Sequence, residues 1–472
     1  MKNLYFLMSV IFLSSCMKKE KNYAEINIKI DNTKFVEVNN PLEDIYIWDM
    51  KKDTIYPNPK NEFLFKKDIV SPEFVIVKIG EKRLKSIIHP DSRIEIVYTD
   101  SLLSFKGKNA QEMKLLNQLN RSFFNLNDFS EFRKDTSSLQ ITQKIERLKN
   151  NELIKLTNIR QNETKLVNVL KEEINYFYAL KTQKLILNKL SQNKSNKEEL
   201  TKLFNHTTKT YPLNTSYKNS SWLDYADNIL LYKPLYDLES KKTITSDSIQ
   251  KMIQNDTWYP FQFKIINKFK DSKIAEKVSA NFIMKAAKQR RFEKSLIKVF
   301  NQFQDLYPRS AYIKYLKPEI KIIESYYKKV LEKIPENVIL MKGENISTMK
   351  ELLNSLKGEK YYIDIWATWC GACKSEFKFN NQLDSLLKSK NYKKLLISLD
   401  NINDEDKWKE NIKYYELQGQ NILASQELQK DLMNNYNVKS IPKYFITNEK
   451  GELINKSAPK PSEIDLLDQE LY

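Results

Sequence analysis

The hydrophobic pattern changes period twice along the chain. From residue 24 apolar positions alternate with polar ones. Ile26, Ile28 and Ile30 stand between charged and amide neighbours, and Ile45, Ile47, Phe63, Phe65, Phe74 to Ile79 and Ile94 to Tyr98 continue in short β-branched and aromatic runs. A repeat of two belongs to a strand with one buried face, because successive side chains leave a pleated backbone on opposite sides. Turn residues separate the runs at Asn58-Pro59-Lys60-Asn61, Ile79-Gly80 and His89-Pro90-Asp91. Residues 24–107 are therefore predicted to form a small β-sandwich.

From residue 108 to 335 the period becomes helical, with long stretches such as Glu152 to Leu190 that hold neither Gly nor Pro. Tyr307-Pro308-Arg309-Ser310 and Lys317-Pro318 read as connections between helices. No fixed-period repeat marks a solenoid, and both a spacer role and partner recognition stay open for this helical middle domain. Beyond Pro335 the pattern alternates. Strands are expected at Val338 to Met341, Tyr361 to Trp366 and Leu395 to Leu399. Helices are expected at Ser347 to Leu356 with Ser347 as cap, after Cys370, at Glu405 to Leu417, at Gln426 to Tyr436 and at Ser462 to Leu471. Lys443 to Ile446 and Leu453 to Ile454, joined by Asn448-Glu449-Lys450-Gly451, make a hairpin. Residues 336–472 thus read as an α/β domain.

At 472 residues, with 41% hydrophobic content, the chain suits a multidomain globular protein. The net charge of +18 would suggest nucleic acid only if it were concentrated. It is not: Lys is interspersed with Asp and Glu and forms no basic tail, so a solvated surface is expected, with weak attraction to anionic headgroups as the alternative, and no nucleic-acid partner.

The first residues change the picture more. Lys2 precedes an apolar stretch from Leu4 to Leu13, too short to span a bilayer, and Leu13-Ser14-Ser15-Cys16 follows. This segment resembles the lipobox of bacterial lipoproteins. It implies a signal peptide over residues 1–15 and a lipidated tether over 16–23, with Cys16 as the lipid anchor; a plain secretory signal is the alternative. No other segment is apolar for long enough to cross a membrane. The protein is expected on a membrane of the cell envelope, facing the periplasm.

Of three Cys, Cys16 is assigned to the anchor, and Cys370 and Cys373 remain, two residues apart. A pair this close cannot make a disulfide scaffold, and a zinc site would need two more ligands, while His89 and His206 lie far off in sequence. No metal is expected. A thiolate attacks disulfides better than a thiol does, so a Cys at a helix start, facing unpaired amides, suits the nucleophile. Cys370 takes that role. Cys373, one turn later, suits the buried resolving thiol.

Trp366-Ala367-Thr368-Trp369-Cys370-Gly371-Ala372-Cys373-Lys374, placed between a strand and a helix, resembles the thioredoxin fold and more narrowly the TlpA/ResA-like thiol–disulfide oxidoreductases of bacterial envelopes. Ser440-Ile441-Pro442 falls where that family has its cis-proline loop, and the upstream β-domain resembles the one preceding such modules in lipoproteins of Bacteroidetes type. The resemblance implies a catalytic set of Cys370, Cys373, Asp364 as buried proton acceptor and Glu376 as a second acid, with Trp369, Ile441 and Pro442 contacting substrate. An acid inside an apolar strand also stands out physically, since burying a charge is costly. Ala372 and Lys378 depart from the family, which often has Pro at both places. The resemblance further implies reduction of disulfides in exported proteins, no cofactor beyond the Cys pair, and a membrane thiol donor of DsbD or CcdA type to recharge it. Oxidation remains an alternative direction. A non-enzymatic ligand-binding or assembly lipoprotein with a thioredoxin-like docking module is the alternative function.

Overall fold

The computed structural model describes residues 23–471 apart from 32, 44–50, 81, 100, 101, 108, 120–129, 136, 158–163, 193–195, 214–220 and 342. The expected signal peptide, Cys16, Ile45 and Ile47 lie outside the described residues. The chain divides into two compact units, Met1–Ser240 and Lys241–Tyr472, so the helical region contributes to both.

In the first unit the strands are β1 (Tyr23–Ile30), β2 (Val36–Asn40), β3 (Lys51–Ile55), β4 (Glu62–Asp68), β5 (Glu73–Ile79), β6 (Lys82–Ile88), β7 (Arg93–Thr99) and β8 (Leu102–Gly107). They form two four-stranded sheets, ordered β4-β1-β7-β8 and β3-β2-β5-β6. The alternation in β1 buries Ala24, Ile26, Ile28 and Ile30. Ile26 faces Phe65 on one side and Ile94 on the other, and Ile28 faces Phe63 and Ile96, so one apolar ladder runs across three strands. The helices Ala110–Gln118, Ser138–Leu156, Thr164–Ser191 and Lys197–Thr210 follow. Ser137 starts the second with a reciprocal side-chain cap with Gln140.

The second unit opens with the helices Ser246–Gln254, Trp258–Ile266, Ser272–Lys288, Ser295–Leu306 and Ile313–Lys329. Pro318 lies inside the last of these rather than between helices. In the second turn its missing N–H removes one intrahelical bond, while the stripe Leu316, Ile320, Ile323 and Tyr326 remains buried.

The rest of the unit is a six-stranded sheet built from β9 (Val338–Met341), β10 (Lys360–Trp366), β11 (Tyr392–Ser398), β12 (Gly419–Leu423), β13 (Lys443–Thr447) and β14 (Leu453–Asn455), in the order β14-β13-β10-β11-β12-β9. The β10, β11, β12 and β9 pairings are parallel, while β13 runs antiparallel to β10. Strand β10 is central and buried along nearly its whole length, as a parallel strand covered on both faces must be. One face carries Ile363, Ile365, Leu395, Ile397 and Phe445 against Met349, Leu352, Leu428 and Leu432. The other carries Tyr362, Trp366, Leu396, Tyr444 and Ile446.

Three local details differ from expectation. The helix Met349–Ser355 is capped by Thr348 rather than Ser347, because only the Thr348 hydroxyl reaches the amide of Glu351 while that residue reaches back. Strand β12 had no sequence signal, since Gln420 and Asn421 interrupt its apolar run; the Nδ2 of buried Asn421 donates to the carbonyls of Leu417 and Gly419, while its Oδ1 has no partner among the described residues. The helix after Cys370 spans Gly371–Glu376, tightens to a 3₁₀ turn at Phe377–Phe379 and resumes at Asn380–Ser389, a break that forms although position 378 is Lys.

Candidate active site

Strand β10 delivers the chain to the loop Ala367-Thr368-Trp369-Cys370 at its carboxyl end, and the helix starts immediately after. Cys370 is the N-cap, with extended backbone (φ −83°, ψ 98°), and the Cys373 amide donates to its sulfur at 3.1 Å. An N-cap side chain receives one of the amides that a helix start leaves without intrahelical partners. Here that acceptor is the Cys370 sulfur, which faces the positive end of the peptide dipoles. Cys373 is fully buried and is joined to Cys370 in a disulfide with a Cα separation of 5.4 Å. Cys370 is 6% exposed, Trp369 beside it is 56% exposed, and nothing lies within 4 Å of the place a Cβ would take on Gly371. The approach to the pair is from that open side.

The loop is anchored from behind by Asp400, a buried carboxylate just past β11. It accepts the Thr368 amide at 2.8 Å, the Thr368 hydroxyl at 2.7 Å and the Ser398 hydroxyl at 2.6 Å, and the Leu399 amide donates to Trp366 O at 2.9 Å. Hydrogen bonds to an ionised acceptor are the stronger kind, so this buried set fixes the backbone that leads into Cys370. Thr368 and Asp400 were not singled out from the sequence. The signal that could have found them was an acid following an apolar strand, since the carboxyl ends of parallel strands are where α/β sheets build sites.

Asp364 sits in the middle of β10, between Leu396 of β11 and Tyr444 of β13, on the face it shares with Tyr362 and Trp366. Its Oδ1 is buried without a hydrogen-bond partner among the described residues. Burial pushes its carboxyl up to about 7; the Lys394 ammonium opposes the rise and the Glu376 carboxylate adds to it. Lys394 is itself paired with Asp384. This raised carboxyl thus lies in the strand that leads into the Cys pair. Glu376 is half-buried, and its Oε2 accepts the Ser462 amide at 2.9 Å, ahead of the helix Ile464–Glu470. It is engaged by the C-terminal segment while its charge still reaches Asp364.

The Ile441-Pro442 peptide bond is cis. Ile441 packs against the apolar cluster that contains Cys370, Cys373, Trp366 and Phe377, so the proline loop and the Cys pair border one another. Trp366 and Phe377 meet edge-on at 5.3 Å. Lys374, the last residue of the motif, had no expectation attached to its side chain, yet it is buried and its Nζ donates to Arg290 O at 2.6 Å. Among the described residues no cluster of His, Cys, Asp and Glu could hold a metal ion. His89, in the first unit, contacts Asn109 and the Pro90 carbonyl.

The family model described as Redoxin matches residues 332–470. The thiol-disulfide oxidoreductase ResA of Bacillus cereus is 27% identical over 104 residues, which is 22% of this chain and 57% of that relative. The chain therefore spans little more than half the length of the curated relative it matches. Among solved structures, StoA from Bacillus subtilis is 27% identical over 24% of this chain and 82% of its own, with a TM-score of 0.20. A thiol:disulfide interchange protein from Bacteroides sp. is 21% identical over 25% of this chain and 77% of its own, with a TM-score of 0.23. Residues 332–470 accordingly match the Redoxin family model, and part of this chain is similar to the thiol-disulfide oxidoreductase ResA.

Proposed function

We propose that the protein is a membrane-tethered thiol–disulfide oxidoreductase of the cell envelope that reduces disulfides of exported proteins through Cys370 and Cys373. The observation that carries this reading is the Cys370 sulfur at the helix start, accepting the Cys373 amide and bonded to the Cys373 sulfur. In the reduced form the Cys370 thiolate attacks one sulfur of a substrate disulfide. The substrate S–S bond breaks, its leaving thiolate takes up a proton, and a mixed disulfide joins Cys370 to the substrate. The Cys373 thiol then gives its proton to Asp364 and attacks the Cys370 sulfur. The second substrate thiolate leaves and is protonated, the two electrons of the dithiol now reside on the substrate, and Cys370–Cys373 is restored as a disulfide.

Asp364 suits the proton step because burial brings it to about 7, where it can accept a proton at neutral pH and pass it on. Glu376 modulates that acid through its charge. Trp369 and the Ile441-Pro442 loop border the Cys pair and supply apolar and backbone contacts to an extended substrate segment. Such a substrate adds its own sulfur chemistry and needs no cofactor. Cys16 would hold the chain to the membrane by its lipid. A membrane thiol donor of DsbD or CcdA type would return the disulfide to the dithiol, because the mature chain holds no second thiol pair.

Trapping tests the reading directly. Cys373→Ala expressed in the full chain should accumulate mixed disulfides on Cys370 that dissolve under reductant, and Cys370→Ser should abolish them. Equilibration with glutathione tests direction: a potential near that of thioredoxin supports reduction, and one near that of DsbA rejects it. A Cys373→Ala chain that captures nothing would refute the proposed activity.

A further inference from the structure

The connection between the helices Ser272–Lys288 and Ser295–Leu306 lies outside the matched redoxin region, yet it touches the active-site helix. Two of its residues, Arg290 (φ 54°) and Phe292 (φ 59°), take the left-handed backbone conformation. Side chains other than Gly, Asn and Asp adopt it at a cost, so surrounding contacts must hold them there. They do. The Arg290 guanidinium bonds Glu319 at 2.6 Å. The buried Phe292 ring stacks on Tyr326 at 4.2 Å and meets Tyr414 edge-on at 4.9 Å, while its carbonyl accepts the Tyr327 hydroxyl at 2.7 Å.

This held conformation turns one carbonyl and one aromatic face toward a single cation. Lys374 Nζ bonds Arg290 O at 2.6 Å and stands 5.3 Å from the Phe292 ring centre. Lys374 is 5% exposed. It lies four residues after Cys370, one turn into the helix that Cys370 caps, and helical side chains lean toward the helix start. Burial lowers the Lys374 ammonium to about 7; Lys407 and Arg291 act in the same direction, and Asp400 and Glu293 oppose them. A cation so close to losing its proton responds to any anion that appears beside it. In the reduced protein the Cys370 thiolate is such an anion, and the stabilisation is mutual.

We propose that residues 289–294 are an accessory part of the redox site, a clasp that keeps the Lys374 side chain behind Cys370 so that its positive charge stabilises the thiolate and with it the reduced dithiol. This rests on the thiol–disulfide reading given above. Lys374 acts here as a positioning residue that works through Cys370, and the loop lies outside the matched redoxin region.

The test uses the full reduced chain as wild type, Lys374→Met, Lys374→Arg and Phe292→Leu, the last two keeping bulk in place. Thiolate at Cys370 is read by the rate of iodoacetamide alkylation at pH 6 and by absorbance of the thiolate across pH; redox balance is read against glutathione. Lys374→Met should alkylate roughly threefold to tenfold more slowly, the low end of what a neighbouring opposite charge does. Its glutathione equilibrium should move toward the disulfide by up to the same factor where Cys370 is ionised. Lys374→Arg should stay near wild type. Phe292→Leu should shift in the same direction as Lys374→Met, by less, and add nothing to it in the double variant. A Lys374→Met chain that titrates like wild type, or an Arg variant as impaired as Met, would overturn the proposal. So would an unaffected Phe292→Leu chain beside a shifted Lys374→Met chain, since the charge would then act without the loop. Trapping by Cys373→Ala separates the two readings: captured partners with an unshifted Lys374→Met reject the clasp alone, and no capture rejects the activity itself.

Discussion

Replacing Asp364 by Asn removes the one carboxyl of β10 while keeping its shape, and the consequence for stability has a defined sign and window. Folding lifts this carboxyl from 3.8 to about 7, chiefly by burial. Below pH about 4 both folded and unfolded chains hold the proton, and burial of the neutral acid carries no ionisation penalty. Between about 4 and 7 the unfolded chain ionises while the folded one keeps its proton, so stability falls as pH rises; above 7 the full penalty is in place. The gap corresponds to about 4 kcal/mol at about 1.36 kcal/mol per pH unit. Asn does not titrate. Relative to wild type, Asp364→Asn should therefore lose about 4 kcal/mol less on going from pH 4 to pH 8. The buried amide, lacking a partner as Oδ1 does now, shifts both ends by about 1–2 kcal/mol without changing the slope. The assay is urea unfolding of the oxidised chain, in which the Cys pair does not titrate, followed through the buried Trp366 and Trp408. Parallel stability curves for variant and wild type from pH 4 to pH 8 would refute the placement of a proton on this acid. The same variant should slow release of the mixed disulfide near neutral pH, as the proposed role of Asp364 as proton acceptor requires.

The remaining predictions concern the scaffold of the site. Asp400→Asn puts an amide hydrogen against the donors of Thr368 and Ser398 and should cost about 3 kcal/mol, with altered alkylation kinetics at Cys370; unchanged urea midpoints would show that the anchor is dispensable. Gly419→Ala should destabilise the second unit by at least about 3 kcal/mol, since φ is +98° and the new Cβ would lie 2.5 Å from Lys394 O. Gly371→Ala, in open space at the first helical position, should stay within about 0.5 kcal/mol of wild type and keep disulfide exchange with glutathione. Thr348→Ala should cost about 1 kcal/mol through loss of the reciprocal cap, checked by the same unfolding curves.

The parts of the fold legible in the sequence are those written in short-range pattern. Alternation at Ile26, Ile28 and Ile30 sets a strand with one buried face because pleating is a property of neighbouring residues. The apolar run into Trp366 followed by two Cys one turn apart marks a strand-to-helix junction in the same way. Where a pattern needs long-range context it fails. Strand β12 is recognisable only when its position between β11 and β9 is known, because a polar Asn421 is buried there with its Nδ2 held by local carbonyls. Pro318 reads as a breaker until the stripe on both sides of it is seen packed. The division at Ser240 has no mark in the periodicity, since helices on either side of it share the same pattern and differ only in which core they join.

Sequence alone determined which residues could do chemistry here: two thiols one helical turn apart, an acid set in an apolar strand, and a proline after Ile441. Those are matters of covalent order and side-chain type. Tertiary structure decided what charge these groups carry. Asp364 rises to about 7 because strands on both sides exclude water from it, and Lys374 falls to about 7 because a loop more than eighty residues earlier closes over it. Desolvation depends on everything that packs around a group, wherever it lies along the chain, and for that reason it cannot be read from the neighbours in sequence.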